Sequence, residues 1–175
     1  MEKLKLIEPT IEYAKEILSF RQEFLDCGDS IDGSGSLQEF DRVEDWLDEV
    51  ERCKLRETAP PNWVPSTQFI CIRESDCRLV GVIQIRHVLS DYLRDYAGHI
   101  GYSVRPSERR KGYAAWMLSS VLPYCKSLSI NDVLVSCLVD NEGSRRTILR
   151  NGGVYAETVR EPREDVLLEK YWIHI

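Results

Sequence analysis

One stretch constrains this chain more than any other, because it reads as a strand, then a polar loop, then a helix. From Gly98 to Val104 the residues alternate, with Ile100, Tyr102 and Val104 on the apolar face. Pro106 ends the strand, since proline cannot donate to a sheet ladder. From Ala114 onward the apolar residues recur at helical spacing: Ala114, Met117, Leu118, Val121, Leu122 and Cys125.

The loop between strand and helix carries Arg109, Arg110, Lys111 and Gly112. A helix start leaves backbone N–H groups unpaired, with the positive end of the helix dipole behind them. Glycine lets the backbone approach a ligand closely, so the pattern predicts a site for a phosphate or pyrophosphate. No Gly-Lys-Ser/Thr follows, which argues against a nucleotide triphosphatase.

The loop resembles a known sequence pattern. Arg109-x-x-Gly112-x-Ala114, preceded by Tyr102-x-Val104-x-Pro106, is similar to the acyl-CoA pyrophosphate loop of the GNAT superfamily of N-acyltransferases. The alternative is an ordinary strand-to-helix connection with solvated cations.

The order of predicted elements, β-α-α-β-β-β-α-β-α-β-β, also matches the GNAT fold. The resemblance implies a single α+β domain over residues 1–175, with a mixed, mostly antiparallel central sheet of about seven strands and about four flanking helices. The predicted strands are 3–7, 68–73, 79–89, 98–104, 133–139, 154–160 and 166–175. The predicted helices begin near Ile11, Phe40, Ala114 and Asp140.

Composition and charge narrow the class of protein. The 175 residues are 43% hydrophobic and 30% charged, as in an ordinary soluble domain. A formal charge of −6 argues against a general nucleic-acid binder. We find no apolar run near 18 residues and no signal-peptide pattern, so we expect no membrane association.

Six cysteines form no Cys-x-x-Cys pair, and no histidine lies at metal-ligand spacing from them, so we expect no metal site. Most lie within apolar patterns, as buried free thiols do. Cys71 and Cys77 flank a predicted hairpin turn and could meet, but free thiols are the expectation for a cytoplasmic protein.

The resemblance implies a set of residues that bind acetyl-CoA. The backbone of Tyr102, Ser103 and Val104 would hold the pantetheine arm and polarise the thioester carbonyl. Asn141 and Ser144 would contact the pantetheine from the following helix, unless they only cap it. The pyrophosphate would be bound by the loop residues Arg109, Arg110, Lys111, Gly112, Tyr113 and Ala114.

Amine attack on a thioester benefits from a general base, and His99 is the candidate because an unperturbed pKa of about 6.5 suits the task. The alternative is that His99 only decorates a strand face. Glu108, Tyr92 and Tyr96 are weaker candidates. In many members of the resembling family a tyrosine at this position acts as general acid, where this chain has Ile148. Which group, if any, protonates the leaving thiolate is therefore not predicted.

Between Asp26 and Glu51 there are ten carboxylates and one cation, Arg42. In the resembling fold this segment borders the acceptor site, so it would favour a cationic amine acceptor; a solvated helix face is the alternative. We therefore expect a cytoplasmic acetyl-CoA-dependent N-acetyltransferase acting on a primary amine of a small molecule or peptide. A non-catalytic acyl-CoA sensor is the second hypothesis. If the chain forms a homodimer, its last hairpin is the expected contact.

Overall fold

The computed structural model describes residues 2–175 and contains the predicted order of elements. The strands are β1 (Leu4–Ile7), β2 (Ser66–Arg73), β3 (Arg78–Arg86), β4 (Ile100–Val104), β5 (Asp132–Leu138), β6 (Val154–Glu161) and β7 (Val166–His174). The α-helices are α1 (Ala14–Cys27), α2 (Val43–Arg52), α3 (Tyr113–Ser127) and α4 (Glu142–Arg150). The predicted α+β fold with about seven strands and four helices is confirmed.

The strands form two sheets, not the one central sheet that was expected. One has the order β1-β2-β3-β4 and the other the order β5-β7-β6, and all their pairings are antiparallel. A single bridge between Gly98 and Val135 joins them. The expected mixture of strand directions is therefore not found within either sheet.

The sheets separate because the backbone ladder between β4 and β5 stops at its first rung. Gly98 has a left-handed backbone, with φ at +73°. His99 donates its backbone N–H to Leu134 O at 2.7 Å, but the N–H of Leu134 goes to the imidazole Nδ1 of His99 at 2.9 Å. A side chain thus replaces a backbone carbonyl, and the ladder does not continue.

The four-stranded sheet has an apolar core on each face, as the alternation of its strands predicts. Helices α1 and α2 cover one face, where Phe20, Phe24 and Trp46 pack on Ile70 and Val82. Helix α3 covers the other face. The core under α3 contains Ile83, Ile85, Met117, Leu118 and Val121. This core continues into β5 and β7 through Val133, Val135 and Ile173.

Gly98 offers a test of the junction between the sheets. A Cβ there would lie 2.4 Å from the carbonyl oxygen of Leu134, whereas a Cβ at Gly152, also left-handed at φ +83°, would meet nothing within 4 Å. Gly152→Ala should cost about 1–2 kcal/mol of unfolding free energy for backbone strain. Gly98→Ala should cost about 1–3 kcal/mol more, because the strands must move apart and because a backbone at φ +73° and ψ −170° is essentially restricted to glycine.

Urea unfolding of the two variants measures both costs. Equal destabilisation would contradict the close contact between Gly98 and Leu134.

Candidate active site

The backbone of β4 presents one hydrogen-bonding edge to β3 and the other to the gap beside β5. Arg86 N–H donates to His99 O at 2.8 Å, and Arg105 N–H donates to Val80 O at 2.9 Å. In an antiparallel pair the residues alternate in direction, so the backbone groups of Tyr102 and Val104 face away from β3. Tyr102 therefore offers both its N–H and its C=O to a ligand in the gap, and Val104 offers its N–H, since the Val104 carbonyl accepts from Arg109 Nε at 3.4 Å.

The loop after β4 holds a run of free backbone donors. Arg110 and Gly112 both have left-handed backbones, with φ at +66° and +86°. Within residues 2–175, no acceptor is found for the N–H groups of six consecutive residues: Arg110, Lys111, Gly112, Tyr113, Ala114 and Ala115. A Cβ on Gly112 would meet nothing within 4 Å, so the loop is open to solvent there. Such a concave run of N–H groups at a helix start suits an anion.

The cationic side chains of this loop are partly engaged by carboxylates. Arg109 pairs with Asp29 at 2.8 Å and lies over the ring of Phe24. Lys111 pairs with Glu108 at 2.6 Å. Arg110 is exposed. The free N–H groups, more than these two paired cations, are ready to receive a phosphate.

Glu108 is not placed as a base. It is buried and accepts from Arg73 at 2.8 Å as well as from Lys111. Burial alone would raise the pKa of Glu108, but the hydrogen bonds from Lys111 and Arg73 hold that pKa below its ordinary value. This carboxylate fixes the loop and stays ionised.

A second ionic contact fixes the start of the loop, and no local sequence pattern predicts it. Arg105 is 2% exposed and donates to Leu79 O at 2.7 Å and to Glu23 at 3.1 Å. Glu23 in turn accepts the N–H of Ser107 at 2.6 Å. Because Glu23 and Arg105 are far apart in the chain, only a tertiary contact reveals that α1 anchors the loop.

Several predicted ligand side chains have structural partners. Tyr102 hydrogen-bonds the Ser144 hydroxyl at 2.7 Å, and Asn141 caps α4 by accepting the Ser144 N–H at 3.0 Å. Tyr113 is buried and bonds to Arg73. The Ser103 hydroxyl donates to the backbone oxygen of Asp32 at 2.8 Å. A ligand at these positions would meet mainly backbone groups.

His99 is 8% exposed and its Nδ1 accepts the Leu134 N–H. In the neutral ring the proton then sits on Nε2, so no ring lone pair is free for an incoming proton. Burial, with a smaller contribution from nearby Arg86, lowers the pKa of His99 to about 4. This geometry does not favour the general-base role that was predicted for His99.

The other predicted acid–base groups are also engaged. Tyr92 donates to Glu161 at 3.4 Å, lies beside Tyr96 and has Arg163 over its ring. Burial raises the pKa of Tyr92, so its phenol stays protonated. Ile148 is fully buried and has no proton to donate.

The acidic segment is mostly a surface with local ion pairs. Asp41 pairs with Arg21, Glu49 with Arg52, and Glu51 with Lys54. Six of the ten carboxylates have a cation within 4 Å, and four in the described part of the chain do not: Asp26, Asp32, Glu39 and Asp48. Of these four, Asp32 is the one whose backbone bonds to Ser103 of β4. Of this segment, Asp32 lies nearest the open strand.

A surface groove of about 480 Å³ adjoins the loop. It is lined by Glu2, Leu4, Lys111, Gly112, Tyr113, Ala115, Trp116 and Arg150. Indole and cationic groups there would suit the remainder of a nucleotide whose phosphates lie on the loop. Among residues 2–175, no group of three or more potential metal ligands is found, and no helix is long and apolar enough to cross a membrane.

Solved structures share this fold. The microcin C7 self-immunity acetyltransferase MccE, in complex with acetyl-CoA and AMP, is 17% identical, with a TM-score of 0.71, covering 100% of this chain and 94% of that one. The ribosomal-protein-S5-alanine acetyltransferase from Vibrio fischeri is 14% identical, with a TM-score of 0.76 and coverages of 99% and 94%. The spermidine N-acetyltransferase from Vibrio cholerae, a dodecamer, is 13% identical, with a TM-score of 0.66 and coverages of 98% and 93%.

No curated protein matches the chain significantly in sequence. At these low identities the solved structures show the fold alone. The family is shown by the sequence model of the acetyltransferase (GNAT) domain, which matches residues 4–154, most of the chain. This protein belongs to the GNAT acetyltransferase family.

Proposed function

We propose that this protein transfers an acetyl group from acetyl-CoA to a primary amine of a small molecule or peptide. The observation that carries the proposal is the run of six free N–H groups from Arg110 to Ala115 beside the open edge of β4. A diphosphate needs several donors at once, and these are preset at a helix start. The acetyl-CoA bound to MccE, which shares the fold, supports the choice of co-substrate.

The residues of the gap fit the rest of that co-substrate. The backbone groups of Tyr102 and Val104 would bond the pantetheine amides, and a free N–H there would stabilise negative charge on the thioester oxygen. Acetyl-CoA supplies an activated acetyl thioester. Nitrogen–carbon bond formation at that carbonyl would be balanced by carbon–sulfur cleavage and by loss of the ammonium proton to solvent.

The acceptor amine must be neutral when it attacks the thioester carbonyl, because only the neutral form has a free lone pair. An amine of pKa about 10.4 is neutral in about 0.04% of molecules at pH 7, equivalent to about 4.6 kcal/mol. Asp32 is the accessible carboxylate at the strand, and we propose that it holds the incoming ammonium near the site where the proton is lost. A thiol of pKa about 8.5 gives a thiolate that can leave without a general acid. No such acid is available from the buried Ile148.

We further propose that residues 1–175 act as one catalytic domain in the cytoplasm. The six cysteines are all free thiols, which favours a reducing compartment. The choice of an amine acceptor is supported by the names of two solved structures of the same fold, an acetyltransferase of ribosomal-protein-S5 alanine and a spermidine N-acetyltransferase. The alternative is a non-catalytic acyl-CoA sensor. It is supported by Ile148, which stands where the family resemblance implies a tyrosine that acts as general acid.

Acetyl-CoA turnover separates the two functions. We expect thiol release to depend on an added amine, measured with a chromogenic thiol reagent over a panel of amines. Binding of acetyl-CoA by calorimetry, without thiol release from any acceptor, would leave the sensor as the function.

Gly112→Glu and Gly112→Gln form a matched pair in the same assays. Both place a side chain of equal size at a left-handed position that is open to solvent, so they should unfold at the same temperature. The glutamate alone repels a diphosphate, and one unit charge at about 4 Å in partly shielded surroundings is worth up to about 4 kcal/mol. We expect Gly112→Glu to bind acetyl-CoA at least about tenfold more weakly than Gly112→Gln. Equal affinities would place the diphosphate elsewhere.

His99 should titrate as a buried structural group. Its pKa of about 4 lies below the unfolded value of about 6.5, so the unfolded chain binds a proton first as the pH falls. The free energy of unfolding should therefore be full above pH 6.5 and fall by on the order of 3 kcal/mol as the pH drops from 6.5 to 4.

Nuclear magnetic resonance of the imidazole, assigned with His99→Gln, should show the Nε2–H tautomer and a midpoint near 4. A midpoint near 6.5, with a matching inflection in kcat/KM, would restore His99 as the general base.

A further inference from the structure

Arg86, at the end of β3, is an arginine without a carboxylate partner. In residues 2–175 six arginines are not exposed, and five of them have a carboxylate within 4 Å: Arg21, Arg73, Arg78, Arg105 and Arg145. Arg86 has none, and its guanidinium donates from Nη1 to the backbone oxygen of Gly98 at 3.1 Å. A guanidinium carries five N–H donors, so most of this one remains available to a ligand.

The guanidinium lies on the face of β4 that borders the acetyl-transfer position. A Cβ added to Gly101 would lie 3.5 Å from Nη2 of Arg86 and 3.0 Å from the Cα of Gly33. Gly101 and Ser103 project to the same face of the strand, and Ser103 bonds the backbone of Asp32. Arg86 and the Asp32–Gly33 turn therefore flank Gly101 on one face of the strand.

Arg86 and Asp32 are close enough for their opposite charges to attract, but they form no ion pair within 4 Å in the described part of the chain. The only side-chain partner of Asp32 there is Ser30 at 3.5 Å. Burial lowers the pKa of Arg86 even though the charge of Asp32 opposes that shift, so the guanidinium has lost water without gaining a direct carboxylate partner. Asp32 is exposed, so its carboxylate is open to an incoming ammonium.

We propose that the acceptor is a zwitterionic amine, whose ammonium lies at Asp32 and whose carboxylate or phosphate is bound by Arg86. This rests on the proposed acetyl transfer and narrows its substrate class. The planar fork of arginine matches either anion with two parallel hydrogen bonds. The acidic segment alone predicted a purely cationic acceptor, but Arg86 would repel a second cation near the amine.

Pairs of acceptors that differ in one anionic group test this directly. Thiol release is compared for serine, ethanolamine and ethanolamine phosphate, which share an aminoethyl unit and carry a carboxylate, no anion and a phosphate. We expect kcat/KM at least about tenfold higher with an anion, since charged hydrogen bonds are the strong ones. The better of the two anionic acceptors identifies the group that Arg86 receives.

Variants at Arg86 and at Asp32 distinguish the anion-binding end of the proposed site from its ammonium-binding end. Arg86→Gln should lower kcat/KM by about tenfold or more for the anionic acceptors and thereby remove the preference, while Arg86→Lys recovers part of it. Asp32→Asn should lower turnover of all three amines alike. Arg94→Gln, an exposed arginine paired only with Asp91, is the matched control and should keep the wild-type preference. Unchanged affinity for acetyl-CoA shows that each variant is folded.

A wild-type preference for ethanolamine, or a preference for anions that survives Arg86→Gln, would overturn the proposal and leave acetyl transfer standing. If no amine is turned over, the proposed function fails instead. In that case, binding of the same three compounds to the acetyl-CoA complex is measured by saturation-transfer resonance. Tighter binding of the anionic compounds that depends on Arg86 supports the zwitterion site. Equal binding of all three compounds, or a preference that does not depend on Arg86, overturns that proposal.

Discussion

The structure depends on the early end of hydrogen bonding between β4 and β5. The imidazole of His99 accepts the Leu134 N–H, and Gly98 has a positive φ where the two sheets pair through one backbone bridge. Beyond that contact β4 keeps a free edge inside the protein, where unpaired backbone groups are normally costly. Such groups persist where a ligand can satisfy them, which is why we propose that the separation of the sheets forms the site.

Ionic contacts around the site hold the loop at that free edge. Glu23 and Arg105 tie the loop start to α1, while Glu108 and Arg73 tie its middle to β2. These carboxylates also neutralise part of the positive charge that the sequence places in the loop. In the proposed site, phosphate binding would depend on the orientation of N–H groups, which backbone conformation sets and side-chain substitution changes little.

Much of this fold could be predicted because its signals are local. The alternation before Val104, the stop at Pro106 and the helical spacing after Ala114 each lie within a few residues, and the structure has the expected strand, turn and helix. The order of the remaining elements followed in the same way. The loop was predicted from its cations and from Gly112, which lets the backbone approach a ligand closely; the structure adds that Gly112 has a left-handed backbone at φ +86°.

The side-chain roles were harder to predict, because they are decided by partners distant in the chain. His99 could be placed at the start of β4, but its partner Leu134 is on β5, and that contact removes the lone pair a base needs. Asp32 was one of ten similar carboxylates, and only the fold places its backbone against Ser103 while six of the others form ion pairs. Nothing local in the sequence distinguishes Arg86 from the other arginines; its lack of a carboxylate partner is visible only in the fold.

Backbone amide resonances during a titration with acetyl-CoA report on the proposed site itself, because that site consists mainly of N–H groups. We predict that the amides of residues 110–115, with those of Tyr102 and Val104, shift strongly and saturate together, while those of β6 stay in place. Shifts confined to other surfaces, or none at millimolar acetyl-CoA with a folded spectrum, would contradict it.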